Sequence, residues 1–135
     1  MAGYSGTPLV KKIGIKPADR VLFASAPKGF EKEIGAMPDD VQMLNGASKD
    51  LNVALFFTDK RSQLEKELPR LKTKIAQNGM IWIAWPKKAS KVLTDLTEDI
   101  IRDTALVLGL VDVKVCAVNE IWSGLKLVIP VKDRK

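Results

Sequence analysis

Two continuous apolar runs do most to constrain how this chain can fold. Residues 52–58 hold Val53, Ala54, Leu55, Phe56 and Phe57 in succession, and residues 80–85 are apolar throughout. A strand with one wetted face would alternate. Short unbroken runs rich in Val, Ile and aromatics belong to strands buried on both faces. Between the two runs, Leu64, Leu68, Leu71 and Ile75 recur at spacings of four, three and four, which marks one face of a helix. Strand, amphipathic helix, strand is the unit that builds a parallel sheet with helices on both faces.

The flanking sequence extends that pattern. Thr7-Pro8 opens a short helix, with Thr7 as N-cap, Pro8 at the first helical position and Gly14 closing it. A turn over residues 15–19 leads into a strand at 20–25. Residues 28–36 read as a short helix with Phe30 and Ile34 one turn apart, 41–45 as a weak strand and 46–49 as a loop. Ser62-Gln63-Leu64-Glu65 has capping-box spacing, Pro69 should kink or split the helix that follows, and Asn78-Gly79 should end it. Leu93, Leu96, Ile100, Thr104 and Val107 mark a further helix, with Asp95, Glu98 and Asp99 where its dipole favours acids and Gly109 at its end. Val111, Val113, Val115 and Ala117 alternate on one face of a strand. Leu125, Leu127, Ile129 and Val131 do so on the next, with Trp122-Ser123-Gly124 in the connection of a closing hairpin. The expected fold is therefore α/β: a three-layer, Rossmann-like, mostly parallel sheet with a C-terminal antiparallel hairpin, as one domain over residues 1–135. One feature resists it. About six residues join the strands near Val41 and Asn52, whereas a parallel crossover normally needs a dozen. Either a helix–strand unit has been lost there, or the weak strand lies outside the sheet.

Composition excludes several chemistries. There are no histidines, so Ser-His and Cys-His pairs and His-bound metals are ruled out, and the lone Cys116, mid-strand, reads as an inert core thiol. Asp95, Glu98, Asp99 and Asp103 surround Arg102 and read as a solvated helix face rather than an acid/base pair. No catalytic residue and no metal ligand is assigned. Residues 1–6 have neither the basic nor the apolar region of a signal peptide, and no apolar run is long enough to span a bilayer, so the expectation is a cytoplasmic protein with no membrane partner. It is expected to fold without cofactor, metal or disulfide, with no tightly bound cofactor. A net charge of +6 and a pI near 9.5 favour anionic partners: a small anion, an acidic protein or nucleic acid.

The segments Ala2-Gly3-Tyr4-Ser5-Gly6-Thr7-Pro8-Leu9, Met80-Ile81-Trp82-Ile83-Ala84-Trp85-Pro86-Lys87-Lys88 and Gly109-Leu110-Val111-Asp112-Val113-Lys114-Val115-Cys116-Ala117-Val118, with Trp122-Ser123-Gly124-Leu125, resemble a small bacterial family known only as domain of unknown function 3052. That resemblance implies no activity. Gly14-Ile15-Lys16-Pro17-Ala18-Asp19-Arg20-Val21-Leu22 resembles the entry to the first strand of methyltransferases that use S-adenosylmethionine. In those enzymes an acidic residue and a Gly-x-Gly turn follow, and an acid at the end of the second strand holds the ribose. Here Phe23, Ala24, Ser25, Ala26 and Pro27 take the first places, and Asn45 the last. Side chains at 24–26 would crowd the cofactor and Pro27 removes an amide.

In a parallel sheet, ligands lie beyond the carboxyl ends of the strands. Three strands here run into Ala26-Pro27-Lys28-Gly29, Thr58-Asp59-Lys60-Arg61 and Trp85-Pro86-Lys87-Lys88. With 22 basic residues in 135, twelve positions should hold about two; these hold five. The candidate ligand-binding residues are Ser25, Lys28, Gly29, Asn45, Asp59, Lys60, Trp85, Lys87 and Lys88, forming a cationic rim for an anion. Trp85 either presents its ring to a base or anchors the sheet edge, and loops are also simply where lysines collect. Three functions follow: a degenerate, non-catalytic domain binding an anionic ligand or partner; a small methyltransferase with an atypical cofactor loop; or an electrostatic nucleic-acid binder, which needs a contiguous basic face.

Overall fold

A computed structural model describes residues 7–135; residues 2–6 of the first family segment, and the stretch read for a leader, lie outside them. The elements are α1 (Leu9–Ile13), β1 (Arg20–Ala24), α2 (Phe30–Ile34), β2 (Gln42–Leu44), β3 (Leu51–Phe57), α3 (Arg61–Lys74), β4 (Ile75–Pro86), α4 (Glu98–Val107), β5 (Val111–Ala117) and β6 (Trp122–Val128), with short 3-10 turns at Lys88–Ser90 and Val131–Asp133. The strands form one sheet in the order β2-β1-β3-β4-β6-β5. β1 to β4 are mutually parallel, and β6 runs antiparallel to both its neighbours. This is the expected Rossmann-like layout with its antiparallel ending.

Both faces of the sheet are covered. Ala54, Phe56, Ile81, Ile83, Leu125 and Leu127 pack under α3 and α4, against Leu64, Leu68, Leu71, Ile101 and Ala105. Val21, Val53, Leu55, Phe57 and Trp82 face α1 and α2, against Val10, Ile13, Phe30 and Ile34. The unbroken runs in β3 and β4 are thus explained, since successive residues enter opposite cores. Trp82 is fully buried and its indole N–H donates to the Ile13 carbonyl at 2.9 Å, which ties α1 to the sheet centre.

The short crossover has a geometric solution. β2 pairs with β1 through only three residues, Gln42 to Leu44 opposite Arg20 to Leu22. Its end therefore lies level with Leu22, the middle of β1. From there the chain must drop about three strand residues, or about 10 Å, and pass beneath β1 to reach Leu51. Six residues suffice, so β2 is in the sheet and no helix intervenes.

Several local expectations need correction. Pro8, not Thr7, occupies the N-cap of α1, without a side-chain cap. The capping box at Ser62 does not form, because α3 already begins at Arg61 with Lys60 as its cap. Pro69 sits inside an α3 that runs on without a break. The helix ends at Lys74 rather than at Asn78-Gly79, and those two residues fall in the irregular start of β4. There the register jumps from Leu51–Ile75 to Val53–Met80. Gly79 is needed because a Cβ would lie 2.6 Å from the Leu51 carbonyl oxygen. The stripe counted from Leu93 to Val107 is not the packed face of α4: Ile101 and Ala105 are buried, while Leu93 is 93% and Val107 87% exposed. Residues 93–97 are not helical, so the count ran through a loop. The helix begins after Thr97, whose hydroxyl accepts the Ile100 amide at 3.2 Å. Trp122, Ser123 and Gly124 belong to β6, not to the connection. In β5 the alternation breaks at a bulge between Asp112 and Lys114. Asp112 pairs beside Leu127 and Val115 beside Leu125, so Asp112 and Val115 share the α4 face while Lys114 turns to the other.

Candidate functional site

β1, β3 and β4 lie side by side and parallel, so the loops after them share one edge of the sheet. The topological switch point lies between β1, which leads toward β2, and β3, which leads toward β4. The predicted residues reach this edge but do not converge there. Lys28 and Gly29 line a hollow of about 490 Å³ built from residues 26–32. Ser25 lines another of about 330 Å³ with Ala24, Phe56, Gln63, Lys66 and Glu67. Asp59 and Lys60 border a third of about 380 Å³ with Leu93, Thr94 and Asp95. Trp85, Lys87 and Lys88 line a cleft of about 510 Å³ after β4. Asn45 lies at the end of β2, where its side-chain oxygen accepts the Ala47 amide at 3.0 Å.

The cleft after β4 has the most definite chemistry. Its floor is Trp85 and Leu96, both buried, and its rim carries Val92 and the exposed Leu93. Trp85 is 7% exposed and packs under α3 and α4, so it offers a ligand only a small part of its ring. Lys87 is half-buried and donates to the Asn119 carbonyl at 3.1 Å, which pins the β5–β6 connection to the cleft wall. Lys88 and Lys91 are exposed, and no carboxylate lies within ion-pair distance of either among the described residues. Lys91, which composition did not single out, is held in the left-handed region at φ 61°. The turn that holds it is locked by Ser90, whose hydroxyl donates to the Lys87 carbonyl at 2.7 Å and accepts the Val92 amide at 3.2 Å. Thr97 and Glu98 close the far wall. Glu98 is bound to Arg102, which also holds Asp99 at 2.7 Å and Asp112 at 3.0 Å. Hydrogen bonding from Arg102 keeps the Asp112 carboxyl below its ordinary range. Of the four acids around Arg102, Glu98 and Asp99 pair with it, Asp95 accepts the Arg61 amide at 2.7 Å, and Asp103 lines a separate hollow between α3 and α4.

The switch point itself is closed on the α1/α2 face by a feature the sequence reading missed. Phe23, Phe30, Phe57 and Trp122 form a chain of edge-to-face contacts, with ring centroids 5.2, 4.8 and 5.1 Å apart. Phe23 and Phe57 sit at the ends of adjacent strands with equal parity, and Phe30 opens the next helix. That spacing was the available signal. Elsewhere, burial raises the Cys116 thiol above its ordinary range, as suits a core residue. Among the described residues no group of three or more His, Cys, Asp or Glu could hold a metal ion. No helix among them is long and apolar enough to cross a membrane.

The fold is that of known methyltransferases. An S-adenosylmethionine-dependent methyltransferase from Aquifex aeolicus is 16% identical with a TM-score of 0.62, over 90% of this chain and 87% of that one. A TehB-like methyltransferase from Corynebacterium glutamicum is 10% identical with a TM-score of 0.59, over 95% and 90%. Fibrillarin from Aeropyrum pernix, solved with bound S-adenosyl-L-methionine, is 12% identical with a TM-score of 0.58, over 93% and 70%. At such identities the likeness shows the fold alone.

The residues after β1 do not fit that cofactor. Ser25 holds φ 56°, a left-handed conformation, with a side chain where a glycine turn would admit close approach. Ala26 and Pro27 follow, and the Phe30 ring enters between Phe23 and Phe57. Gly29 is a glycine for its φ of 86° and not for closeness, since a Cβ there would meet nothing within 4 Å. The Asn45 oxygen, in the ribose-binding place, is taken by its own turn. No curated protein matches the sequence. A family profile matches residues 33–131, and the chain belongs to that family, described as protein of unknown function (DUF3052).

Proposed function

We propose that this is a methyltransferase-fold domain that has lost methyl transfer and binds an anionic organic molecule in the cleft after β4. The observation that carries this reading is the cleft's composition: an apolar floor of Trp85 and Leu96 beneath three lysines, none of them ion-paired among the described residues. Lysine ammonium groups on flexible stems suit a carboxylate or phosphate. The apolar floor selects for a ligand with a hydrophobic or planar body. The aromatic closure of the switch point on its α1/α2 face, with the missing glycine turn, supports the loss of cofactor chemistry.

The test is a thermal-shift and calorimetric screen of aromatic carboxylates, nucleotides and phosphorylated metabolites, with S-adenosylmethionine alongside. A true ligand at about a hundred times its Kd adds about 2.7 kcal/mol of stability. The expected result is saturable binding of an organic anion that weakens at least tenfold in Lys88→Ala/Lys91→Ala. Saturable S-adenosylmethionine binding in the low micromolar range would restore the second reading, a small methyltransferase with an atypical loop, which the fold itself favours. Binding only by an acidic polypeptide would move the cleft from metabolite to protein recognition.

A further inference from the structure

A second cationic surface lies on the α1 face, away from the cleft, and the β5 bulge creates it. Without the bulge, Asp112 and Lys114 would project from the same side of β5, two residues apart, and could neutralise one another. With it, Asp112 turns to α4 and binds Arg102, while Lys114 comes directly opposite Lys126 of β6. Like charges directly opposite each other across a strand pair destabilise a sheet. Two more lysines converge there from α1 and the turn after it. Lys12 donates to the Ala117 carbonyl at 3.0 Å, and Lys114 donates to the Lys12 carbonyl at 3.4 Å. Lys16 stands close enough, with Lys114, to act on the Lys126 ammonium, whose pKa falls first through burial and then through these two charges.

No carboxylate lies within ion-pair distance of Lys12, Lys16, Lys114 or Lys126 among the described residues. Residues 1–6 carry no acidic side chain. The nearby Asp19 accepts the Lys16 backbone amide at 2.9 Å, which fixes the turn. Four lysines from α1, the α1–β1 turn, β5 and β6 are thus gathered without an ion-paired carboxylate among the described residues, at a position where sheet pairing disfavours it.

We propose that this face binds the phosphate backbone of a nucleic acid, without reading its bases. Lysines offer point charges that suit phosphate and do not impose a paired geometry. Phosphate contacts carry affinity and register but no sequence information. Among the described residues no aromatic side chain is fully exposed, so base stacking finds no platform among them on this face.

Fluorescence anisotropy with a labelled single-stranded oligonucleotide, over a salt series, tests this. Four neutralised phosphates give a slope of log K against log salt of about −2.8, or a loss of about fiftyfold between 50 and 200 mM salt. Lys114→Gln/Lys126→Gln should flatten the slope to about −1.4, while the cleft variant Lys88→Ala/Lys91→Ala leaves it unchanged. The same Gln variant should melt no lower than the parent, because it removes a repulsive pair; this separates lost binding from lost fold. Two oligonucleotides of different sequence should bind alike. Absence of saturable binding at 50 mM salt, an unchanged slope in the Gln variant, or tighter binding of poly-glutamate at equal charge would each overturn the proposal.

Discussion

The carboxyl ends of β1 and β4 lie two strands apart on one sheet edge, yet they have opposite characters. After β1, where this fold ordinarily opens its main crevice, Phe30 folds back between Phe23 and Phe57 and Trp122 completes the stack. After β4 the chain makes a 3-10 turn and a loop before α4, leaving a cleft with lysines above an apolar floor. The difference comes from helix placement. α2 is only five residues long and starts with a phenylalanine, so its first turn packs into the crevice instead of framing it. α4 is separated from the end of β4 by eleven residues and stands clear of the strand end. The β1 end is therefore built as core and the β4 end as surface. Mutations should separate the two by what they damage.

The largest effect is expected at the β1 end. Phe57 is 2% exposed and touches both Phe30 and Trp122. Phe57→Ala should cost about 3–5 kcal/mol, read as a fall in the urea midpoint at unchanged slope. It should not create S-adenosylmethionine binding, since the glycine turn is still missing. A loss below about 1 kcal/mol would mean that the stack is incidental and the crevice merely empty.

Gly29→Ala sharpens the same point with a smaller effect. The glycine has open space around it but a φ of 86°. An alanine there should cost about 1–2 kcal/mol through backbone conformation alone. Ligand binding in the β4 cleft should be unchanged in this variant. A near-neutral melt with altered binding would instead make residues 26–32 part of the functional site.

The two ends were not equally legible in the sequence. Unbroken apolar runs announced β3 and β4 because burial on both faces leaves no alternation to misread. The helix–strand order then gave the parallel sheet. The loss of the glycine turn was visible in Ser25-Ala26-Pro27. The aromatic stack was not, because Phe57 and Trp122 are 65 residues apart and only the order β3-β4-β6 brings them near. The same limit applied to the lysines. Sequence placed Lys28, Lys60 and Lys88 on one edge, but not the hollows that divide them. Lys91 was missed because its position depends on the turn locked by Ser90. The β5 bulge had no sequence signature: Val111 to Ala117 alternates cleanly, and a one-residue shift inverted the face of everything before it.

Acidification should loosen the cleft side first. Arg102 links Glu98, on the cleft wall, to Asp112 on β5. Hydrogen bonding to Arg102 lowers the Asp112 pKa in the folded state. Between that value and the unfolded one, about 3.9, the unfolded chain binds more protons, so stability falls as pH drops. The contribution is complete above the unfolded pKa and is lost as pH falls through the folded one. Hydrogen exchange near pH 3 should show α4 opening before α2, and Asp112→Asn should abolish the pH dependence of α4 opening, with α4 exchanging at neutral pH as it does in the parent near pH 3. Simultaneous opening of both helices in the parent protein would show that the two ends are not independently held.

The smallest stability effect belongs to the lysines of the cleft, and there smallness is the informative result. Lys88 and Lys91 are exposed and make no ion pair among the described residues. Surface substitutions of this kind usually stay within about 0.5 kcal/mol. Lys91 adds a second consideration, since an ordinary side chain at φ 61° is strained and asparagine or glycine would be easier. Lys91→Gly should therefore raise stability by a few tenths of a kcal/mol or more, within about 1 kcal/mol, by relieving that strain. The native residue would then be one that binding retains against the preference of the backbone. Thermal melts of Lys88→Ala and Lys91→Gly, each with and without the anion found by the screen, separate the alternatives. Stability unchanged or raised together with weakened binding fits a surface built for a ligand. If Lys91→Gly instead destabilises the protein, the lysine is part of the fold, and the contrast between the two strand ends fails at its more open side.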